Sequence, residues 1–220
     1  MEVSYVSFDG LKTVSLRTVE ERDSPGPGEV LVKSDYSAVS AGTECANLLA
    51  LPNTHGSFPW LPGYSSSGRV LRVGEGVTDF EPGNRVIVPW AGHRSHFLRP
   101  ASRLVRINDG VDQLDASFAH IAAFPFLGVR KLRVEIGQSV MVIGMGILGQ
   151  FAAQIARLSG AIPVIVSDMS PGRRELALRL GSDHALSPAD GDIAEKVKEL
   201  TGGKGVDSIV EVTGKSIALQ

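Results

Sequence analysis

The chain has 220 residues, 43% of them hydrophobic and 21% charged, with a formal net charge of −2. That is long enough for one large domain or two modest ones, and too near neutral to favour nucleic acid or an anionic membrane as partner. No apolar run approaches the ~20 residues that span a bilayer. The opening MEVSYVSFDG is unlike a positively charged signal peptide, and the single Cys45 excludes an internal disulfide and a multi-cysteine zinc knuckle, so a cytoplasmic protein is expected.

In chain order, residues 1–115 read as strands and turns. EVLVKSDYSAVS alternates, SGRVLRVGEGVTDFEPGNRVIVP holds two apolar runs parted by Gly, Asp and Pro, and RLVRIND is a further short strand. Such a series predicts a small β-barrel or sandwich-like unit. The texture changes after Val111. QLDASFAHIAAFPFLGVRKL has apolar residues at helical spacing, with Pro125 and Gly128 placed to bend or divide the helix. From Ser139 strands and helices alternate: strand 139–144, helix 148–159, strand 162–167, helix 171–180, a weaker strand near HALS, helix 191–201 and strand 206–212. Alternation of this kind predicts a parallel sheet with crossover helices. The fold class is therefore α/β, a small barrel or sandwich-like β unit over 1–115 followed by a Rossmann-type domain over 116–220 with a leading linker helix.

Gly144, Gly146 and Gly149 form G-x-G-x-x-G where a Val/Ile strand ends and a helix opens. The first glycine allows the tight turn, the second lets a pyrophosphate approach the backbone, and the third lets helix pack on strand. N–H groups at the helix start, at Ile147 and Leu148, then face the phosphates. Asp168 lies 19 residues past Gly149, ending the next strand, where a carboxylate accepts bonds from the ribose hydroxyls. It would repel a 2′-phosphate, which favours NAD over NADP. The plainer alternative is a cap for the helix near Pro171. Arg173 and Arg174 would offset that repulsion unless the helix face holds them in solvent.

With these residues in view, the chain resembles the medium-chain dehydrogenase/reductases, the zinc-type alcohol dehydrogenase superfamily, along its whole length. GEVLVKSDYSAVSAGTE is similar to the strand leading to that family's catalytic-zinc loop, and LPGYSSSGRVLRVGEGVTDFEPGNRVIV to its signature segment. FAHIAAFPFLGVRKLRVEIGQSVMVIGMGILG resembles the helix and nucleotide loop of the sorbitol and threonine dehydrogenase subgroup. The resemblance implies an N-terminal GroES-like barrel, a nucleotide-binding domain, an active site in the cleft between them, and reversible hydride transfer between NAD(P) and an alcohol or carbonyl. It also places Val212, Thr213 and Gly214 beside the cofactor.

The same resemblance argues against zinc. Where zinc-dependent members carry a cysteine this chain has Ala41, and where they carry Gly-His-Glu it has Gly63, Tyr64 and Ser65; the third ligand position falls at Ala119 or His120. A catalytic zinc needs three protein ligands of Cys, His or carboxylate type. Thr43 takes the place of the family's hydroxyl proton relay. Tyr64 or His120 would then polarise the substrate oxygen and handle its proton. The alternatives are that Tyr64 fills the space of the metal, that His120 is a satisfied helix residue, and that Glu44 is structural. His93 and His96 are read as ordinary strand residues, since positions three apart on a strand face opposite ways. Cys45 reads as a small packing residue, and His55 as a loop residue near the substrate entrance.

The expected activity is therefore oxidation of a secondary alcohol or polyol, or the reverse, with NAD, without zinc, on a small molecule and in a homo-oligomeric parent chain. Family members run well past 300 residues, so the 220-residue chain is expected to be a truncated dehydrogenase with little or no activity of its own. The alternative is a non-catalytic dinucleotide-binding sensor or scaffold.

Overall fold

A computed structural model describes residues 1–215; the last part of the turn expected after strand 206–212, residues 216–220, lies outside the described residues. The chain divides into two compact units, the first ending at Ile121 and the second starting at Ala122.

The first unit opens with an antiparallel hairpin of β1 (Glu2–Gly10) and β2 (Thr13–Glu20). Its main sheet contains β3 (Glu29–Ser37), β4 (Ser65–Val73), β5 (Arg85–Pro89), β6 (His96–Pro100) and β7 (Val105–Arg106), in the spatial order β6-β3-β4-β5-β7, all antiparallel. Alternation decides which way each strand faces. Val30 and Val32 of β3, and Val86 and Val88 of β5, point to one side, where they meet Val70, Phe97 and Leu104 in a dry core. Helix α1 (Ala41–Leu48) follows β3, and the short α2 (Gln113–Ser117) lies on β4. Three bonds fasten α2 there: Ser65 Oγ donates to Ser117 O at 2.5 Å, Ser67 Oγ to Gln113 O at 2.6 Å, and Gln113 Nε2 to Gly68 O at 2.9 Å.

The capture of the Ser117 carbonyl also corrects a sequence expectation. The helical segment breaks at Phe118, and α3 (Ala119–Leu132) then runs unbroken through Pro125 and Gly128. Ser65 Oγ holds the Ser117 carbonyl at this break, and Phe118 N–H closes α2 on Asp115 O.

In the second unit β8 (Val140–Ile143), β9 (Val164–Ser167), β10 (His184–Leu186) and β11 (Ser208–Glu211) form a parallel sheet in the order β10-β9-β8-β11. The crossovers carry α4 (Ile147–Leu158), α5 (Pro171–Arg179) and α6 (Ile193–Leu200). Period-two alternation splits the strand side chains between two faces. Val140, Val142, Val164 and Val166 pack on Ala152, Ala153 and Ala156 of α4. Met141 and Ile165 face the other way, onto Val197 of α6. Burial on both faces is why β8 and β9 read as unbroken apolar runs. The order places the start of α4 at the C-terminal end of β8, where open α/β sheets bind ligands.

Ile165 is fully buried, whereas Ile136 is 92% exposed. Ile165→Ala is expected to cost about 2–5 kcal/mol in urea denaturation, and Ile136→Ala to stay within about 0.5 kcal/mol.

Candidate functional site

In the second unit the loop after β8 is shaped by contacts that leave no room for side chains. Gly144 has φ +96, and a Cβ there would lie 2.7 Å from Thr213 Cγ2; a Cβ on Gly149 would lie 1.7 Å from the Gly144 carbonyl oxygen. Gly146, by contrast, faces open space. It is the N-cap of α4, supplies no side-chain cap, and no acidic residue occupies the first turn. The N-terminal amides of a twelve-residue helix thus meet an open cradle with the helix dipole behind them, which suits an anion. These residues fit the pyrophosphate of a dinucleotide.

Asp168, one residue past β9, reaches back to this loop. Its Oδ2 accepts from Met145 N at 2.7 Å and its Oδ1 from Ser170 N at 2.7 Å, with Arg173 Nη1 at 3.8 Å from Oδ2. The carboxylate therefore ties the end of β9 to the glycine loop and also orders the turn into α5. Arg173 is exposed, while Arg174 donates to the carbonyls of Asp168 and Met169. Beyond β11, Val212 N bonds Ile143 O at 3.0 Å, Thr213 N and Oγ1 donate to Glu211 Oε1, and Gly214 has φ +64. Gly144, Gly146, Gly149, Asp168 and Thr213 are assembled around one loop. Sequence reasoning missed Gln150, whose Nε2 donates to Arg173 O at 2.9 Å and steadies α5 against α4.

The first unit gathers a second cluster. Tyr64, just before β4, donates its hydroxyl to Ser40 Oγ at 2.6 Å, and Ser40 Oγ donates to Thr43 Oγ1 at 3.4 Å in the first turn of α1. The Tyr64 and Trp90 rings stack at 5.3 Å, and His120 meets both edge-on, at 5.9 Å from Tyr64 and 5.1 Å from Trp90. Thr43, Tyr64 and His120 are thus brought together with two residues the sequence reading did not single out, Ser40 and Trp90. Burial pushes the His120 pKa below the ordinary histidine value, which keeps the ring neutral at pH 7. Trp90 is 62% exposed and sits at φ +55, a left-handed conformation rare for a bulky residue.

Other expectations are corrected here. His93 lies in a bend before β6, not on the strand that carries His96, and its half-buried ring meets Glu44. The reason is the route of the chain: Pro62–Tyr64 and Trp90–His93 run side by side and turn His93 inward. Cys45 is exposed on α1 and not packed, because the helix buries Glu44 instead. His55 lies in an exposed loop, its N–H held by Asn47 Oδ1. A zinc ion does not fit the donor set at the family's ligand positions: Ala41 offers no donor atom, and Tyr64 offers a phenol in place of a thiol, imidazole or carboxylate. Among the described residues no group of three or more His, Cys, Asp or Glu is placed to hold a metal.

Comparison with known proteins accords with both halves. Residues 26–125 match the alcohol dehydrogenase GroES-like domain, and residues 148–220 match the zinc-binding dehydrogenase family. L-threonine 3-dehydrogenase of Pyrococcus abyssi is 32% identical over 89% of this chain and 65% of its own length. D-guloside 3-dehydrogenase of Escherichia coli is 33% identical over 70% of this chain and 44% of its own. Among solved structures, 2R,3R-butanediol dehydrogenase from Bacillus subtilis agrees with a TM-score of 0.86 at 22% identity, over 99% of this chain and 72% of that one, a likeness of fold. The chain spans 65% of the length of the Pyrococcus abyssi enzyme it matches. A GroES-like barrel followed by a Rossmann-type sheet, each matched in turn, makes the chain a member of the zinc-type alcohol dehydrogenase superfamily, the medium-chain dehydrogenase/reductases.

Proposed function

We propose that the protein is a nicotinamide-dependent oxidoreductase that acts on a small secondary alcohol, polyol or carbonyl compound, with a tyrosine in place of a zinc ion at the substrate oxygen. The observation that carries this reading is the open, uncapped start of α4 behind Gly144, Gly146 and Gly149. Two relatives named for dehydrogenation at position 3 of L-threonine and of a D-guloside support the substrate class.

A bound NAD would supply the hydride acceptor, or NADH the donor. The amides of Ile147, Leu148 and Gly149 hold the pyrophosphate, and Asp168 serves the adenosine ribose with the lone pairs left by Met145 and Ser170. Its charge beside a 2′-position disfavours NADP, and exposed Arg173 is the residue that would soften this preference. Val212, Thr213 and Gly214 flank the cofactor. In the reducing direction Tyr64 gives its hydroxyl proton to the oxygen of the substrate carbonyl. The Ser40 hydroxyl then turns from Thr43 to donate to the phenolate oxygen, 2.6 Å away. Neutral His120 and the Trp90 ring wall the phenol and limit water around it.

Titration of NADH and NADPH against the purified chain, followed by cofactor fluorescence, tests the cofactor half. Saturable binding of NADH, with NADPH weaker by about tenfold, or ~1.4 kcal/mol, is expected. Gly149→Ala, whose methyl would meet the Gly144 carbonyl, is expected to abolish binding. A folded chain that binds neither nucleotide overturns the reading. The substrate half is tested by NAD reduction over a panel of polyols and glycosides, where Tyr64→Phe is expected to lower kcat by about 10²-fold or more. Full activity in that variant removes Tyr64 from the chemistry.

The lowered His120 pKa gives a stability test as well. The unfolded chain takes up this proton more readily than the folded one, so stability is full above the ordinary histidine range and is lost as pH falls through it. His96, whose pKa is lowered by burial, by Lys33 and by the N-terminus, acts in the same direction. In urea denaturation from pH 8 to 5, His120→Gln is expected to flatten the fall in midpoint, with the remainder assigned to His96. An unchanged slope rejects burial of His120 as the cause.

A further inference from the structure

Glu44 is a buried carboxylate that the mechanism above does not use: only 6% of the residue is exposed. Buried charge is costly unless paired and hydrogen-bonded. Glu44 meets that demand twice. Oε2 lies 3.0 Å from His93 Nε2, and Oε1 accepts the backbone N–H of Ser40 at 3.0 Å. The other nitrogen of His93, Nδ1, lies 2.5 Å from Ser37 Oγ, which is 3.0 Å from Ser66 Oγ. At its far end the chain of contacts reaches the phenol, because Ser40 Oγ accepts the Tyr64 hydroxyl.

We propose that Glu44 and His93 are positioning residues for Tyr64: the pair fixes the Ser40 backbone, and Ser40 in turn holds the phenol that faces the substrate oxygen. This inference rests on the reading of Tyr64 as the proton donor. The backbone points the same way. His93 N donates to Pro62 O at 2.8 Å, Gly92 N to Gly63 O at 3.0 Å and Trp90 N to Tyr64 O at 3.0 Å, so the segment bearing His93 is zipped to the segment bearing Tyr64. Gly63 permits the approach, since a Cβ there would lie 2.5 Å from His93 N. His93 therefore enters the site region on the same backbone that sets the Tyr64 ring.

The pair has a signature that packing alone does not produce. A carboxylate only accepts, so His93 Nε2 carries a proton. In Glu44→Gln the amide oxygen stays on Ser40 N–H, its NH₂ faces His93, and Nε2 must become the acceptor while the proton moves to Nδ1, toward Ser37 Oγ. Nitrogen-15 NMR of labelled histidine reads this exchange directly, and carbon-13 labelling of the tyrosine Cζ reads Tyr64 against Tyr5 and Tyr36.

The expected result is a protonated Nε2 in the wild-type chain, a bare Nε2 in Glu44→Gln with Tyr64 in place because Ser40 N–H is still held, and, in Glu44→Ala, which releases Ser40 N–H, a displaced Tyr64 Cζ signal with Tyr5 and Tyr36 unmoved. Ser40→Ala keeps the backbone N–H but removes the phenol's acceptor. It is expected to displace Tyr64 and leave the His93 tautomer unchanged, which serves as the decisive variant if Glu44→Ala does not fold. A Tyr64 signal unmoved in Ser40→Ala overturns the proposal, as does a folded Glu44→Ala that leaves Tyr64 in place or a Nε2 that stays protonated in Glu44→Gln. These readings need no turnover. Failure of the enzyme reading shows separately, as Tyr64→Phe with undiminished NAD reduction.

Discussion

Two stretches of backbone pass each other at Gly63 with no space for a side chain between them, and the cluster in the first unit depends on that passage. With φ +97, Gly63 adopts a conformation that side chains disfavour, and the carbonyls of Pro62, Gly63 and Tyr64 each accept an N–H from the 90–93 segment. Trp90 is thereby stacked on Tyr64, and His93 is turned inward to Glu44. The polar network is then a consequence of backbone geometry, and its hydrogen bonds stabilise an approach the chain has already made.

The second unit uses the same device at a different place. Gly149 lies against the carbonyl of Gly144, and the helix that starts there presents bare amides at the sheet's C-terminal edge. Here the neighbouring carboxylate, Asp168, accepts from Met145 N and Ser170 N within its own turn. One acid thus orders the loop that would take a phosphate before any ligand arrives. Preorganisation of this kind lowers the ordering cost of binding.

What could be read from the sequence follows the range of the interactions. The parallel sheet was legible because Val140–Ile143 and Val164–Ser167 are apolar runs beside Gly and Asp signals that act within a few residues. The glycine loop at the start of α4 was legible for the same reason. Thr43, Tyr64 and His120 came into view only through family resemblance, since nothing local marks them. The Glu44–His93 pair was not legible: 49 positions separate the partners, and an acid on a helix and a histidine after a strand each read as ordinary alone. The break at Phe118 escaped for a related reason, because Ser65, which holds the carbonyl of Ser117 at that break, lies 52 positions away. Pro125 was the local signal, and α3 runs through it.

Trp90 carries a further meaning. A large aromatic residue in a left-handed backbone conformation costs about 1–2 kcal/mol, and here more than half of its surface is open to solvent, so burial returns little of that cost. On stability grounds alone position 90 would drift to glycine, which takes the same backbone angles without steric penalty. A lineage that holds tryptophan there is under selection for something other than folding. Position 90 is consequently where a catalogue of natural variants would separate chains kept for what the cluster does from chains that have kept only the scaffold.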